Sequence, residues 1–506
     1  MVNISSNNKR IAKNTLFLYL RMGLVLVVSL FTTRIILQSL GVVDYGVYNV
    51  VSGFVTMFSF LNTSMSNGVQ RFYNFSLGSK EEYSITDVYN TAMQIQGLLA
   101  LVLLFLLETF GTWYINTQMV IPIERIKAAQ WVFQFSVFSL ILLILQIPYS
   151  AAIMANERMD YYAYLSIFDV SAKLLIAYAI KYSTIDQLIL YGGLNFVVSL
   201  INFFLFFLYA KIHFLDLKFD LKIRRQLFKP MLSFSGWNIF GSFAYMIKSQ
   251  GLNMLLNIFF GPIVNAARGV SNMVMSAIQG FQSNIVIAFR PQLVQSYALR
   301  DNRRVLKLFY SLSKVSFILL AMLSIPIIVE IDYILHLWLG DSIPEYTIPF
   351  TVLVLINMVI SSLNTPVSQV VHATGKMKNY QLATSLMICA ILPVSWIFLS
   401  LGFDPIAVYW VSLIITILNQ ILCNLILKRI YTYSLRDYCK KVVMPCVLFA
   451  VLVPIIPIMI TKIFSESLIR LLSTIIISVL MSILVSYFIV LDKTEQNMIL
   501  SFIKRN

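Results

Sequence analysis

Residues 187–211 read QLILYGGLNFVVSLINFFLFFLYAK, with no charged side chain before the closing lysine. A helix crosses the hydrocarbon core of a bilayer with about 20 mostly apolar residues, more than a buried helix of a soluble domain usually strings together. Such a stretch satisfies its own backbone hydrogen bonds and needs no water to do so. The same pattern recurs along the chain. A first block follows Asn14 and runs to Leu40, without the small-residue cleavage site of a signal peptide, so it reads as a retained span. The others fall at 46–72, 87–113, 127–153, 160–181, 232–258, 263–289, 306–330, 346–371, 379–401, 405–428, 439–461 and 467–490. The fold class is therefore an all-α polytopic membrane protein with about fourteen transmembrane helices.

Composition agrees with this and closes off other classes. Of 506 residues, 59% are hydrophobic and 12% charged, against about 45–50% and about 25% in a soluble domain. No aqueous domain of useful size is left between the blocks, so chemistry has to sit within the bilayer or in short loops. No catalytic residues are assigned, and the chain does not read as an enzyme. The net charge of +16 would suggest nucleic acid in a soluble protein. Here it belongs to cytoplasmic loops, which collect Lys and Arg, and no nucleic-acid partner is expected. The four cysteines and three histidines form no CxxC or Cys/His cluster, and no phosphate-binding GxxxxGK[ST] occurs, so neither metal nor cofactor is expected.

Alternate loops differ in sign. One set holds Lys9, Arg10 and Lys13, then Arg224, Arg225 and Lys229, then Arg300, Arg303 and Arg304, then Lys428, Arg429, Arg436, Lys440 and Lys441. The other carries Asp44, Asp186, Asp332, Asp341, Glu345, Asp404 and Glu466. The first set is read as cytoplasmic, with both termini inside. Arg125 and Lys127 stand on the wrong side in this scheme, as a local exception or because the fourth span starts late.

The organisation is a repeat. A basic cytoplasmic linker, 214–230, separates an N-terminal six-helix lobe, 1–213, from a C-terminal one, 231–430, and two additional helices and a tail occupy 431–506. At a shift of 220 residues Gly41 falls on Gly261, each closing a span before a very short turn. The polar positions of span two, Tyr48, Ser52, Ser59, Asn62, Thr63 and Gln70, lie within about 100° on a helical wheel. Shifted, they become Arg268, Asn272, Gln279, Gln282, Ser283 and Arg290, polar at every position. Ser52 or Ser59 alone reads as helix–helix glue. The paired stripes, with two arginines, read as walls of a cavity. An even span count inserts both halves the same way up, which implies a pseudo-two-fold along the membrane normal.

The sign of the interior charge bears on the substrate. Asp169 and Lys173, four apart on one helix, are spaced to neutralise each other. Glu108, Glu330, Arg34, Arg71, Arg290 and Lys314 stand near span ends, where long side chains reach out to water. Arg21, Lys248 and Arg268 are not so easily accommodated, and they make the interior cationic, suited to an anion.

Arg10-Ile-Ala-Lys-Asn-Thr opens span one, and Leu40-Gly-Val-Val-Asp-Tyr-Gly-Val-Tyr-Asn-Val-Val-Ser-Gly53 joins spans one and two. Phe260-Gly-Pro-Ile-Val-Asn-Ala-Ala-Arg-Gly269 joins spans seven and eight, and Arg290-Pro-Gln-Leu-Val-Gln-Ser-Tyr297 follows. In their order and spacing these stretches resemble the Wzx-like polysaccharide flippases of the multidrug/oligosaccharidyl-lipid/polysaccharide exporter superfamily. The resemblance implies alternating access between two six-helix lobes in the bacterial inner membrane. It implies a lipid-linked oligosaccharide on undecaprenyl diphosphate, moved to the periplasmic leaflet for O-antigen, capsule or exopolysaccharide assembly. Membrane lipids, and a polymerase or glycosyltransferases of the same pathway, are the implied partners. Carried over residue by residue, the headgroup contacts are Arg21, Arg71, Lys248 and Arg268, with Ser52, Asn62, Asn272, Gln279 and Gln282 on the polar faces. In the lipid II flippases of the superfamily a helix pair like spans thirteen and fourteen forms a groove for the lipid tail. Rival readings are a drug or cation antiporter of the same superfamily, which wants free cavity carboxylates, and a lipid II flippase. A membrane glycosyltransferase or ligase wants a larger catalytic loop, and a scaffold without transport leaves the stripes unexplained.

Overall fold

The computed structural model describes residues 4–78, 84–117, 119, 121–214, 220, 224–260, 262–339, 343–493 and 495–496, several of those before 50 by backbone alone. Lys80, residues 215–219 and 221–223 of the linker, Gly261, Asp341, the C-terminal Lys504 and Arg505, and the side chains of Lys9, Arg10, Lys13, Arg34 and Arg225 lie outside the described residues. The protein is an all-helical membrane protein. Among the described residues, ten spans are long and apolar enough to cross a membrane by composition: Ile85–Thr117, Ile123–Ala155, Met159–Lys181, Gln187–His213, Asn302–Val329, Thr347–Thr374, Met377–Ser400, Ala407–Ile430, Leu435–Ile463 and Leu468–Val490. They are spans three to six and nine to fourteen of the sequence reading. Spans one, two, seven and eight correspond to Ile4–Thr56 with Ser59–Gly78, Arg225–Phe260 and Pro262–Ala298. These four carry the polar faces, which dilute their hydropathy at matching places in each half.

Spans one and two run into each other. The helix Ile4–Thr56 turns sharply at Gly41, whose φ of 74° and ψ of 170° lie outside the helical region. No atom would obstruct a Cβ at Gly41, so it is the positive φ that calls for glycine. Elsewhere local chemistry starts the spans. Ser84 and Asp186 accept from the first backbone N–H groups of spans three and six, and Asp301 and Ser467 do the same for spans nine and fourteen.

The chain forms two compact units, Met1–Ser242 with Tyr297–Leu299, and Phe243–Ser296 with Arg300–Asn506. In unit 1, Ile36 and Leu40 pack on Ile176, Ala177 and Ile180 of span five and Tyr191 and Val198 of span six. Span two also approaches the first half of span seven closely. The Ser64 and Ser242 hydroxyls meet at 2.8 Å, and a Cβ on Gly68 would fall 2.3 Å from Ser235 Oγ, so glycine permits this contact.

In unit 2, Leu252, Leu256, Val264 and Ala267 pack against Phe350, Leu353, Ile391 and Tyr409 in one apolar cluster. Spans thirteen and fourteen belong to this unit, and their attachment corrects two readings of the sequence. Glu330 and Lys314 do not reach out to water. Glu330 is 1% exposed and accepts from Arg470 Nη2 at 2.7 Å and Thr474 Oγ1 at 2.9 Å. Lys314, 0% exposed, donates to Asp492 at 2.9 Å and Glu495 at 3.0 Å. Both side chains point at span fourteen, where a partner of opposite sign waits, so pairing replaces hydration. Between the two ion pairs Thr474, Ser478 and Ser482 form a fully buried face of small residues at one-turn spacing, the pattern that lets membrane helices approach closely. Span fourteen is thus fastened to span nine at both ends. Glu108 also has a neighbour, Gln134, which donates to it at 3.0 Å.

Candidate functional site

Unit 1 contains a polar cavity of about 670 Å³ among spans one, two, four, five and six. Span one contributes Arg21, span two Tyr48, Ser52 and Ser59, and span four Ser136, Ser139 and Gln146. Span five turns Tyr162, Ser166, Asp169 and Lys173 toward it, and span six Tyr191, Asn195, Ser199 and Asn202. Within each of the last two spans the spacing is three or four residues, one helix face.

The hydroxyls and amides settle their donors close to home. Ser52 donates to the Tyr48 carbonyl at 2.6 Å, Ser136 to Val132 at 2.7 Å, Ser166 to Tyr162 at 2.9 Å and Ser199 to Asn195 at 3.0 Å. Asn195 Nδ2 donates to Tyr191 at 2.8 Å. Side chains bonded back in this way keep their oxygens as acceptors. The wall is therefore rich in acceptors for a ligand that brings hydroxyl donors.

The charges are unequally matched. Asp169 takes Lys173 Nζ at 2.7 Å and Asn202 Nδ2 at 2.8 Å, so the expected i,i+4 pair is present with an amide as third member. Among the described residues Arg21 has no carboxylate partner. Its guanidinium lies 5.3 Å from the centre of the Tyr162 ring, and its Nε is buried without a hydrogen-bond partner. The cavity's net charge is positive, and it resides on Arg21.

Beside this region, Tyr48 and Tyr191 bring their rings to 4.5 Å. One helical turn before each stands an aspartate, or nearly so: Asp44 and Asp186. Arg125 binds both. Its Nε donates to Asp44 Oδ1 at 2.7 Å, its Nη2 to Asp44 Oδ2, and its Nη1 to Asp186 Oδ2 at 2.7 Å. One arginine thus ties together the connections between spans one and two, three and four, and five and six. This explains the charge on the wrong side. Span four begins within a residue of the expected place, at Ile126, so a late start is not the reason; Arg125 is held by two carboxylates.

The other expected site residues are placed as follows. Arg71 packs its guanidinium 5.1 Å from the ring centres of Phe72 and Phe234. Asn62 is half-buried on span two. In unit 2, Arg268 is 6% exposed and turns to span seven, donating to Asn253 Oδ1 at 2.5 Å and the Ser249 carbonyl at 3.3 Å. Lys248 lies 5.8 Å from the Tyr245 ring centre. Gln282, also 6% exposed, faces Thr365 Oγ1 at 3.3 Å and the Ser362 carbonyl at 3.5 Å. Arg290 donates to Gln369 at 2.9 Å. Asn272 is half-buried and Gln279 exposed. The structure thus brings Arg21 and Ser52 together in one cavity, while Arg268, Gln282 and Arg290 bond to neighbouring helices of their own unit. Sequence reasoning missed Gln146, Tyr162, Asn195 and Asn202 as cavity residues. The signal was there: Asn195, Ser199 and Asn202 make a polar stripe on span six like that on span two.

Neither a family model nor a curated protein matches the sequence. Solved structures do resemble it. A multidrug resistance MATE family transporter of the MOP superfamily, in an outward-facing conformation, superimposes with a TM-score of 0.70 over 86% of this chain and 100% of its own, at 11% identity. A MATE protein in a bent conformation gives 0.71 over 84% of this chain and 96% of its own, at 11% identity. A MOP superfamily transporter from Pyrococcus furiosus, described as having a binding pocket of reverse polarity that suggests a different function, gives 0.68 over 83% and 96%, at 11% identity. The chain has the fold of these transporters.

Proposed function

We propose that the protein is a flippase of the bacterial inner membrane, with both termini in the cytoplasm. It carries an undecaprenyl-diphosphate-linked oligosaccharide from the cytoplasmic to the periplasmic leaflet by alternating access. The observation that supports this most is the unit 1 cavity. It offers acceptors to sugar hydroxyls and one uncompensated cation, Arg21, while its carboxylate Asp169 is already engaged. A diphosphate does not cross hydrocarbon unaided, and a polar wall with a cation replaces part of its hydration. The lipid tail needs no such help and stays in the bilayer. The transporter from Pyrococcus furiosus, with its pocket of reverse polarity, illustrates that this fold accommodates pockets of differing sign.

The second reading is a drug or cation antiporter, favoured by the likeness to multidrug MATE transporters. It requires a carboxylate free to exchange a proton or cation, and Asp169 is bonded to Lys173 and Asn202.

One experiment separates them. Arg21→Ala and Arg21→Lys are expressed in a strain lacking the protein, and surface polysaccharide is measured beside membrane protein level. The flippase reading expects normal protein, loss of most polysaccharide with alanine, and partial recovery with lysine, which keeps the charge and loses the fork. Full polysaccharide with Arg21→Ala, or dye resistance conferred on a pump-deficient host by the wild-type protein, transfers the assignment to the antiporter.

A further inference from the structure

Unit 2 holds a second, larger concavity of about 840 Å³, and its chemistry is the opposite of the first. It lies along span thirteen, against spans nine, ten and twelve, with walls such as Ile325, Ile360, Ile421, Val447 and Val451. No charged side chain lines it. At one end, however, cations stand on two helices. Leu425 lines the groove, and Lys428 and Arg429 follow it by three and four residues, which sets them above it on the same helix face. Leu435 and Cys439 line it from span thirteen, and Arg436 and Lys440 are their chain neighbours. All four cations and Lys441 are exposed, and none of the five joins an ion pair or hydrogen bond among the described residues. One carboxylate, Asp437, stands among them. The turn Cys439–Val443 is a π-helix. The cause is Pro445, which cannot continue the ordinary hydrogen-bond ladder. The widened turn carries both Lys440 and Lys441 at the groove's end. Beyond the other end, past Ile458, the next cation is the single Lys462.

We propose that this groove is a binding site for an acidic glycerophospholipid, its acyl chains along span thirteen and its phosphate in the collar of Lys428, Arg429, Arg436 and Lys440. The polarity selects the occupant. A transported headgroup needs a continuous line of polar side chains along its route; the span-thirteen wall is apolar from Val447 to Ile458, and the other walls offer only the scattered, uncharged Ser324, Gln420 and Asn424. The occupant therefore keeps its headgroup at the collar, as a resident membrane lipid does. The unpaired cations select an anionic headgroup over a zwitterionic one. The site does not depend on which cargo the protein moves.

The test uses the full chain, purified in detergent and stripped of lipid. Thermal unfolding is followed with added dioleoyl phosphatidylglycerol, dioleoyl phosphatidylcholine or undecaprenyl phosphate. The expected result is a larger upward shift in Tm with phosphatidylglycerol than with phosphatidylcholine, shrinking as salt is added. Each cation removed in Arg429→Gln and Lys440→Gln weakens phosphatidylglycerol binding by about fivefold, with Tm in phosphatidylcholine unchanged. Lys462→Gln at the far end leaves the preference intact, and Ala450→Trp, which fills the groove, removes the shift with either phospholipid. Equal shifts with the two phospholipids overturn the proposal, as does a double Arg429/Lys440 variant that keeps the preference. Undecaprenyl phosphate outcompeting phosphatidylglycerol assigns the groove to the carrier lipid instead and overturns it as well.

Discussion

The two units are both helical and differ in where they place their polar groups. In unit 1 the polar faces of spans two, five and six surround open space, and Arg21 retains a buried donor without a partner. In unit 2 several polar groups of spans seven and eight are taken up by packing, while Gln279 stays exposed. Arg268 bonds to span seven, Arg290 to Gln369, and Ser271 sits 3.0 Å from Thr351 Oγ1 in a fully buried contact. Two sets of buried charges in unit 2, Glu330 with Arg470 and Lys314 with Asp492 and Glu495, fasten its extra helix. A polar residue in a membrane span is thus either a wall or a joint, and its type alone does not distinguish them. What decides is whether its donors and acceptors are already taken.

The largest expected effect is at the buried joint of unit 2. Arg470→Ala leaves Glu330 charged and 1% exposed with only Thr474 for a partner. Loss of one member of a buried pair costs about 3–5 kcal/mol. A fall in Tm should appear in detergent, and the double variant Glu330→Gln, Arg470→Gln should recover part of it. Unchanged stability in Arg470→Ala would show that Glu330 finds water and that span fourteen is held by apolar packing alone.

Next comes the clasp of unit 1. Arg125→Ala leaves Asp44, 6% exposed, without its cation. Arg125 itself is about one-third exposed, so solvent compensates in part and the expected loss is about 1–3 kcal/mol. The clasp links three connections on the acidic face. A cysteine at Tyr48 or Tyr191, in a variant freed of native cysteines, should react faster with an impermeant thiol reagent once Arg125 is replaced. An unaltered rate would mean that access to this end does not depend on the Arg125 clasp.

Much of the fold was legible in the sequence, because in a membrane protein hydropathy and loop charge are direct readouts of depth. The span count, the turn at Gly41 and the pairing of Asp169 with Lys173 follow from residues close in the chain. What was not legible depends on distant partners. Lys314 and its carboxylates are 178 and 181 residues apart, and Arg125 reaches Asp44 and Asp186 in two other connections, 81 and 61 residues away. A helical wheel shows that Arg268 lies on a polar face. It does not show that Asn253 is there to receive it.

Arg268 is accordingly the residue on which the comparison can be sharpened. Its counterpart by the repeat is Tyr48, which lines the unit 1 cavity. Arg268→Ala removes the bonds to Asn253 and Ser249, and polar pairs between membrane helices contribute about 0.6–2 kcal/mol. A modest drop in Tm is expected, with Arg268→Lys in between. A variant of normal stability that abolishes polysaccharide export would return Arg268 to the substrate path.

The smallest effect is expected where a polar group is a wall. Ser52 lines the cavity and bonds only to its own helix, donating to the Tyr48 carbonyl. That carbonyl also serves the helix ladder, so Ser52→Ala should change stability by no more than about 0.5 kcal/mol. Ser271 offers the opposite case: it is 0% exposed and its hydroxyl lies against Ala267 and Thr351. Ser271→Ala leaves the Thr351 side facing a methyl group and should cost about 1 kcal/mol. Cysteine placed at each position extends the contrast to solvent. In a background without native cysteines, Ser52→Cys should be modified by a small water-soluble thiol reagent and Ser271→Cys should not. Equal labelling of the two, with equal losses of stability on alanine substitution, would erase the distinction between polar groups that line the unit 1 cavity and polar groups packed between helices of unit 2. The cavity would then be a loosely filled helix interface like any other in the molecule.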